Sequence, residues 1–262
     1  MLSTIADYTR ISKDMGKSLA LTAKKPDVSR ENDYFLANIG KVKSIDDFLK
    51  DYRLYSYAMK AYGLSDMTYA KAFMRKVLTE GTANSKSFAN ELSDPRYRAF
   101  ANAFNFAALG SNATQTTAAQ SGTTQLYVQQ MMEQDAGSQN DGVRLALYFT
   151  RMASSIKTPY QILADKALTQ VVQTALGLDP SVSAAPIDQQ AALLSKLITF
   201  SDFQDPAKVN RFAQRFAAMW DADPNNNPNA SSSAAQILIG QSTQNGIDVD
   251  TLTKLQTIRF GQ

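Results

Sequence analysis

Three times the chain sets a hydrogen-bond acceptor directly before a proline, at Asp94-Pro95, Thr158-Pro159 and Asp205-Pro206, and apolar residues spaced three and four apart then follow. An Asp or Thr in that place takes up the orphan amide donors of a first helical turn. Proline at the first helical position loses nothing, because its missing N–H has no partner there. Such a pair opens a helix and cannot lie inside one. Ser44-Ile45-Asp46-Asp47 is a further start, a serine three residues before an acid and close to a capping box, while Gly63, Gly81 and Gly177 read as stops.

Between these signals the apolar spacing is helical throughout. Ile45, Phe48, Leu49, Tyr52, Tyr55, Met59 and Tyr62 predict one amphipathic helix over 45–62. Ser65-Asp66 opens a second helix, running to Gly81, and Phe100, Ala103, Phe104 and Ala107 share the stripe of a third. Further on, Leu163, Ala167, Val171 and Ala175, then Ile187 to Ile198, then Phe212, Phe216 and Trp220 show the same period. Nowhere does the alternation and β-branched enrichment of strands persist. The expected fold class is all-α, a helical bundle.

The punctuation also repeats. Tyr34-Phe35 recurs as Tyr148-Phe149, Leu49 and Asp51 as Leu163 and Asp165, and Ala61-x-Gly63-Leu64 as Ala175-x-Gly177-Leu178, all at an offset of 114 residues. Asp94-Pro95 pairs with Asp205-Pro206 at 111, and Phe100 and Phe104 pair with Phe212 and Phe216 at 112. The expectation is a pair of tandem, degenerate helical units, 1–112 and 113–224, followed by a polar loop and tail over 225–262. The uncharged polar stretch 111–124 reads as the boundary between them, and 221–233 as a loop. In the tail, Ile237-Leu238-Ile239 and the run Val249 to Ile258 are apolar.

Composition narrows the chemistry. With 262 residues, 44% hydrophobic and 19% charged, the chain has enough apolar material for a sizeable core. It has neither cysteine nor histidine. That removes disulfides, thiolate nucleophiles, cysteine zinc sites and the usual general base, so catalysis would rest on carboxylates, lysine or tyrosine. The N-terminal residues are broken by Asp7, Arg10, Lys13, Asp14 and Lys17, so no cleaved signal peptide is expected, and no apolar run approaches the roughly 20 residues of a transmembrane helix. Residues 1–110 hold 17 Lys and Arg against 12 acids, while the rest holds 10 against 12. This basic bias is too slight to indicate nucleic acid, and Lys24-Lys25 and Lys41-x-Lys43 read as solvated faces.

No catalytic, metal or cofactor motif emerges. Asp46-Asp47 with Asp51, and Asp202 with Asp205, lack the alternation of an EF-hand and read as first-turn acids; phosphate-binding glycine loops are absent. Glutamate, the common glycosidase acid, occurs only at 31, 80, 91 and 133. The remaining signal is aromatic. At the 114 offset Tyr52, Tyr55 and Met59 face Lys166, Thr169 and Gln173, so one helical stripe is apolar in the first unit and polar in the second. The stripe is therefore expected to be covered by another part of the chain or by a protein partner, with Lys50, Arg53 and Lys60 as a polar rim.

Asn38-Ile39, Asp46-Asp47-Phe48-Leu49, Tyr57-Ala58-Met59-Lys60-Ala61-Tyr62-Gly63-Leu64, Asp94-Pro95-Arg96-Tyr97 and Gly142-Val143-Arg144-Leu145 carry a family resemblance. Over most of residues 30–220 the chain resembles an alphaproteobacterial domain of unknown function whose genes tend to lie among flagellar genes. The resemblance implies no activity or catalytic residue, only that neighbourhood. The expected function is a non-enzymatic interaction or structural protein, a flagellum-associated accessory with a protein partner that is a flagellar component. The place expected for it is the cytoplasm or the flagellum. The alternative is a carboxylate-based cell-wall glycosidase serving flagellar assembly.

Overall fold

The signals at Ser44, Asp94, Thr158 and Asp205 open helices where the sequence places them. The computed structural model describes residues 3–226, and among them every regular element is helical. The chain opens with α1 (Thr4–Lys13), α2 (Met15–Ala23) and α3 (Pro26–Ile39), then α4 (Ile45–Lys50), α5 (Tyr52–Ala61) and α6 (Lys71–Glu80). Two short helices, α7 (Phe88–Glu91) and α9 (Phe106–Leu109), flank α8 (Pro95–Ala103). The long α10 (Thr123–Gln139) leads into α11 (Asp141–Met152), α12 (Pro159–Leu163), α13 (Lys166–Leu176), α14 (Ile187–Leu197) and α15 (Pro206–Ala222). Ser44 caps α4 by accepting from the Asp47 amide at 3.0 Å, Asp94 caps α8 through the Arg96 amide at 2.9 Å, and Asp205 caps α15 through the Ala207 amide at 2.8 Å.

The helix expected over 45–62 is two. Asp51 takes an extended backbone and its carboxylate accepts from the Leu54 amide at 3.1 Å, ending α4 and capping α5 in one residue. Asp165, one residue past the Ala164 that ends α12, similarly caps α13 by accepting from the Ala167 and Leu168 amides at 2.8 and 3.1 Å. Likewise the stretch after Ser65 is one 3₁₀ turn, Ser65–Met67, before α6 begins at Lys71. The polar stretch 111–124 is not a linker: it folds as a 3₁₀ turn (Gly110–Gln115) and a π turn (Ala118–Gly122) that run into α10. Its hydroxyls answer the backbone, with Thr114 Oγ1 donating to the Val42 carbonyl at 2.8 Å and Thr123 Oγ1 to that of Ala118 at 3.0 Å. Polar side chains satisfied in this way can be buried, and both threonines are. The expected loop and tail from 227 onward lie outside the described residues.

Two apolar cores result. The first gathers α3 to α9 around Phe48, whose ring meets Phe104 at 4.8 Å and Tyr55 edge-on at 5.9 Å. The second gathers α11 to α15 around Phe149 and Phe216, and it also takes Tyr8 and Ile11 from α1. Helix α1 lies on α11 and α15, fastened by Tyr8 Oη donating to Asn210 at 2.9 Å and by Asp221 accepting from the Thr4 amide at 2.9 Å. Helix α10 runs between the cores, with Tyr127 and Val128 in the first and Met132 in the second.

The order α3, α4, α5, 3₁₀ turn (Ser65–Met67), α6 parallels α11, α12, α13, 3₁₀ turn (Pro180–Ala184), α14, after which α7 and α8 stand against a 3₁₀ turn (Phe200–Gln204) and α15. Phe48/Ile162, Leu54/Leu168 and Phe104/Phe216 are buried in both halves, whereas Leu163, Leu176 and Phe212 are only half-buried where Leu49, Tyr62 and Phe100 are buried. The last helices also pack differently: α8 lies against α6 and α7, and α15 against α13 and α11.

Candidate functional site

Of the stripe singled out in the sequence, the structure leaves only its first residue at the surface. Tyr55 and Met59 are fully buried and belong to the first core, so they cannot contact a partner, whereas Tyr52 keeps 66% of its surface. Lys166 is exposed as its counterpart Tyr52 is, but the inference fails for the other two positions because Thr169 and Gln173 are half-buried and hydrogen-bonded rather than solvated. Thr169 donates to the Ile162 carbonyl at 2.8 Å, and Gln173 accepts from Ser183 at 3.0 Å. Tyr52 escapes burial because it is the first residue of α5 and stands beyond the layer that covers Met59 two turns later.

Tyr52 rims a cleft of about 310 Å³ between α3, α5, the Ser65–Met67 turn and α10. Its floor is the stacked pair Tyr57 and Tyr127, 4.0 Å between centroids, with the Tyr57 hydroxyl donating to Asn32 at 2.6 Å. Burial holds both phenols above their ordinary pKa, so they are protonated donors at neutral pH. One wall is Arg53, lying 3.6 Å over the Tyr34 ring and giving Nε and Nη2 to the two Glu31 oxygens at 3.1 and 2.9 Å. The other cation is Lys60, its Nζ 5.7 Å from the Tyr127 centroid. Of the expected rim, Arg53 and Lys60 line this cleft, while Lys50 is exposed at the end of α4 outside it.

A second polar constellation, which the sequence did not reveal, joins the two cores. Arg96 binds its own cap Asp94 through Nη2 at 2.7 Å and donates Nη1 to the Gly63 carbonyl at 2.7 Å, with Asp165 3.6 Å away. Gly63 has φ 71°, a left-handed conformation that glycine adopts without strain and that ends the α5 segment under Arg96. Tyr148 donates to Asp165 in turn. Alongside, Arg151 gives Nε and Nη2 to both oxygens of the buried Glu133, at 2.7 and 2.8 Å, and reaches Gln130 at 2.8 Å. Burial and the adjoining Asp165 carboxylate push the Tyr148 hydroxyl far above its ordinary pKa.

Several other acids have local partners. Glu80 accepts from the Phe88 amide at 2.6 Å, Asp46 pairs with Arg75 at 2.5 Å and Asp202 with Lys208 at 2.5 Å. Among the described residues no group of acids is arranged to hold a metal ion, and no helix is long and apolar enough to cross a membrane.

Fold and site define an all-α protein with two cores locked by arginine–carboxylate pairs and an open, tyrosine-floored cleft on the first. Residues 61–209, more than half of the chain, match the family described as a protein of unknown function, DUF1217. A protein from Agrobacterium tumefaciens, solved by X-ray crystallography in a structural genomics programme, is 52% identical, covers 84% of this chain and 96% of its own, and superposes with a TM-score of 0.77. No curated protein matches. The chain belongs to the DUF1217 family.

Proposed function

We propose that this protein is a non-enzymatic helical interaction protein, an accessory of the flagellum, which holds a protein partner at the cleft between α3, α5 and α10. The observation that carries the reading is Tyr52, a large aromatic side chain left 66% exposed beside a polar cleft while the other tyrosines of α5, Tyr55 and Tyr57, are buried. Tyrosine is favoured at interfaces, where one ring supplies much contact area at little entropic cost. The flagellar setting rests on the gene neighbourhood that the family resemblance implies. The glycosidase reading finds less support, since Glu133 gives both oxygens to Arg151 and Asp94 both to Arg96.

The two halves are, on this reading, degenerate copies of one helical unit, supported by their parallel element order and by the shared caps Asp51/Asp165 and Asp94/Asp205. The functional test is affinity capture from flagellated cells with the native chain and with Tyr52→Ala. Recovery of rod, hook or export components by the native chain, lost in the variant, supports the proposal. Equal recovery by both removes the cleft from it, and recovery of unrelated proteins alone overturns it.

A further inference from the structure

We propose that the cleft takes an acidic peptide segment of the partner, with a carboxylate at Lys60 and the adjoining apolar side chain against Tyr52. This rests on the interaction reading above and specifies the chemistry of its partner. Among the described residues Lys60 makes no ion pair, and the hydroxyls of Tyr127 and Ser65 make no hydrogen bond. Arg53 commits Nε and Nη2 to Glu31, which leaves Nη1 without a hydrogen-bond partner among the described residues.

Among the described residues Glu31 is the one acid lining the cleft, and Arg53 neutralises it. What remains is the uncompensated charge of Lys60, the free Nη1 of Arg53 and hydroxyls able to donate, a set suited to a carboxylate. The volume, about 310 Å³, admits one or two side chains. A nucleic acid presents a phosphate about every 1.7 Å of duplex axis and is held by a run of cations. This cleft offers Lys60 and one arm of Arg53, which suits isolated carboxylates better.

The test uses the full ¹⁵N-labelled chain titrated with the probe acetyl-Glu-Leu-Glu-Tyr-Glu-Leu-amide. Its Glu→Gln counterpart and a ten-nucleotide thymidine strand are the comparators. Expected are amide shifts confined to the cleft residues Tyr52, Arg53, Lys60, Ser65, Thr68 and Tyr127, and affinity at least tenfold higher for the Glu peptide than for either comparator. A further tenfold loss is expected in Lys60→Glu and in Tyr52→Ala, both checked by circular dichroism for retained helix. Equal binding of the Gln peptide, shifts elsewhere, tighter binding of the thymidine strand or no binding at all overturns the assignment. Affinity capture separates this failure from that of the interaction reading. If flagellar components are still recovered with Lys60→Glu, only the acidic-segment assignment falls; if the native chain recovers none, both fall.

Discussion

Replacing Tyr55 by Phe removes a single oxygen from the centre of the first core, and the result reads directly on how that core is satisfied. Tyr55 is fully buried, its ring stands edge-on to Phe48 at 5.9 Å, and its hydroxyl is a buried polar atom with no hydrogen-bond partner among the described residues. An unsatisfied buried hydroxyl costs about 1–3 kcal/mol of desolvation. Phe keeps the ring contacts, so the variant should be more stable by about 1 kcal/mol at pH 7, a rise of about 2–4 °C in Tm for a chain of this size.

Burial and nearby Tyr97 push the Tyr55 hydroxyl up to about 12, against about 10 in an unfolded chain. The folded state keeps its proton where the unfolded state has lost it, so stability is fully present below pH ~10 and declines as pH rises towards 12. One unit of that window corresponds to about 1.4 kcal/mol. The variant lacks this titration, so its advantage should widen by about 1.4 kcal/mol between pH 7 and pH 11. Urea unfolding followed at 222 nm at both pH values measures the two gaps. A loss of more than about 0.5 kcal/mol at pH 7, or a gap that does not widen, refutes the reasoning by showing that the hydroxyl is satisfied.

Three further outcomes follow from the packing. Phe104→Ala, which empties a fully buried site between Phe48 and Phe100, should cost about 3–5 kcal/mol in urea unfolding. Arg151→Met strands the buried Glu133 carboxylate and should cost about 3–5 kcal/mol, of which the double variant Arg151→Met, Glu133→Leu should recover most; no recovery in the double-mutant cycle would argue against the pairing. Gly142→Ala would set a Cβ 2.5 Å from the Trp220 ring and 2.8 Å from Thr4, so a loss of about 1–3 kcal/mol is expected by thermal unfolding, with a change in Trp220 fluorescence.

Helix openings were legible because a cap is chemistry between residues two or three apart, as at Ser44, Asp94 and Asp205. The break at Asp51 was missed for the opposite reason: inside a run of good apolar spacing, an acid that ends one helix and begins the next leaves the period of a single helix intact. How the 111–124 stretch folds could not be read from its composition, since threonines that bond to the backbone bury as readily as apolar residues. Spacing alone placed Tyr52, Tyr55 and Met59 on one stripe, but which turn projects past the neighbouring helices depends on tertiary packing. The Arg96 and Arg151 networks join residues up to tens of positions apart, and no local pattern announces such pairs.

The attachment of α1 to the end of the fold also sets an order of events during synthesis. Thr4 and the carboxylate of Asp221 that holds it are 217 residues apart, so at about 5–20 residues per second the first helix leaves the ribosome roughly 10–40 s before its anchor exists. In that interval the first core, complete with α3 to α9 and the start of α10, can close by itself. Tyr8 and Ile11 wait without the helices that bury them, and the second core lacks a wall until α15 arrives. A nascent chain halted before residue 206 should therefore present a protease-resistant first half and a cleavable N-terminal helix.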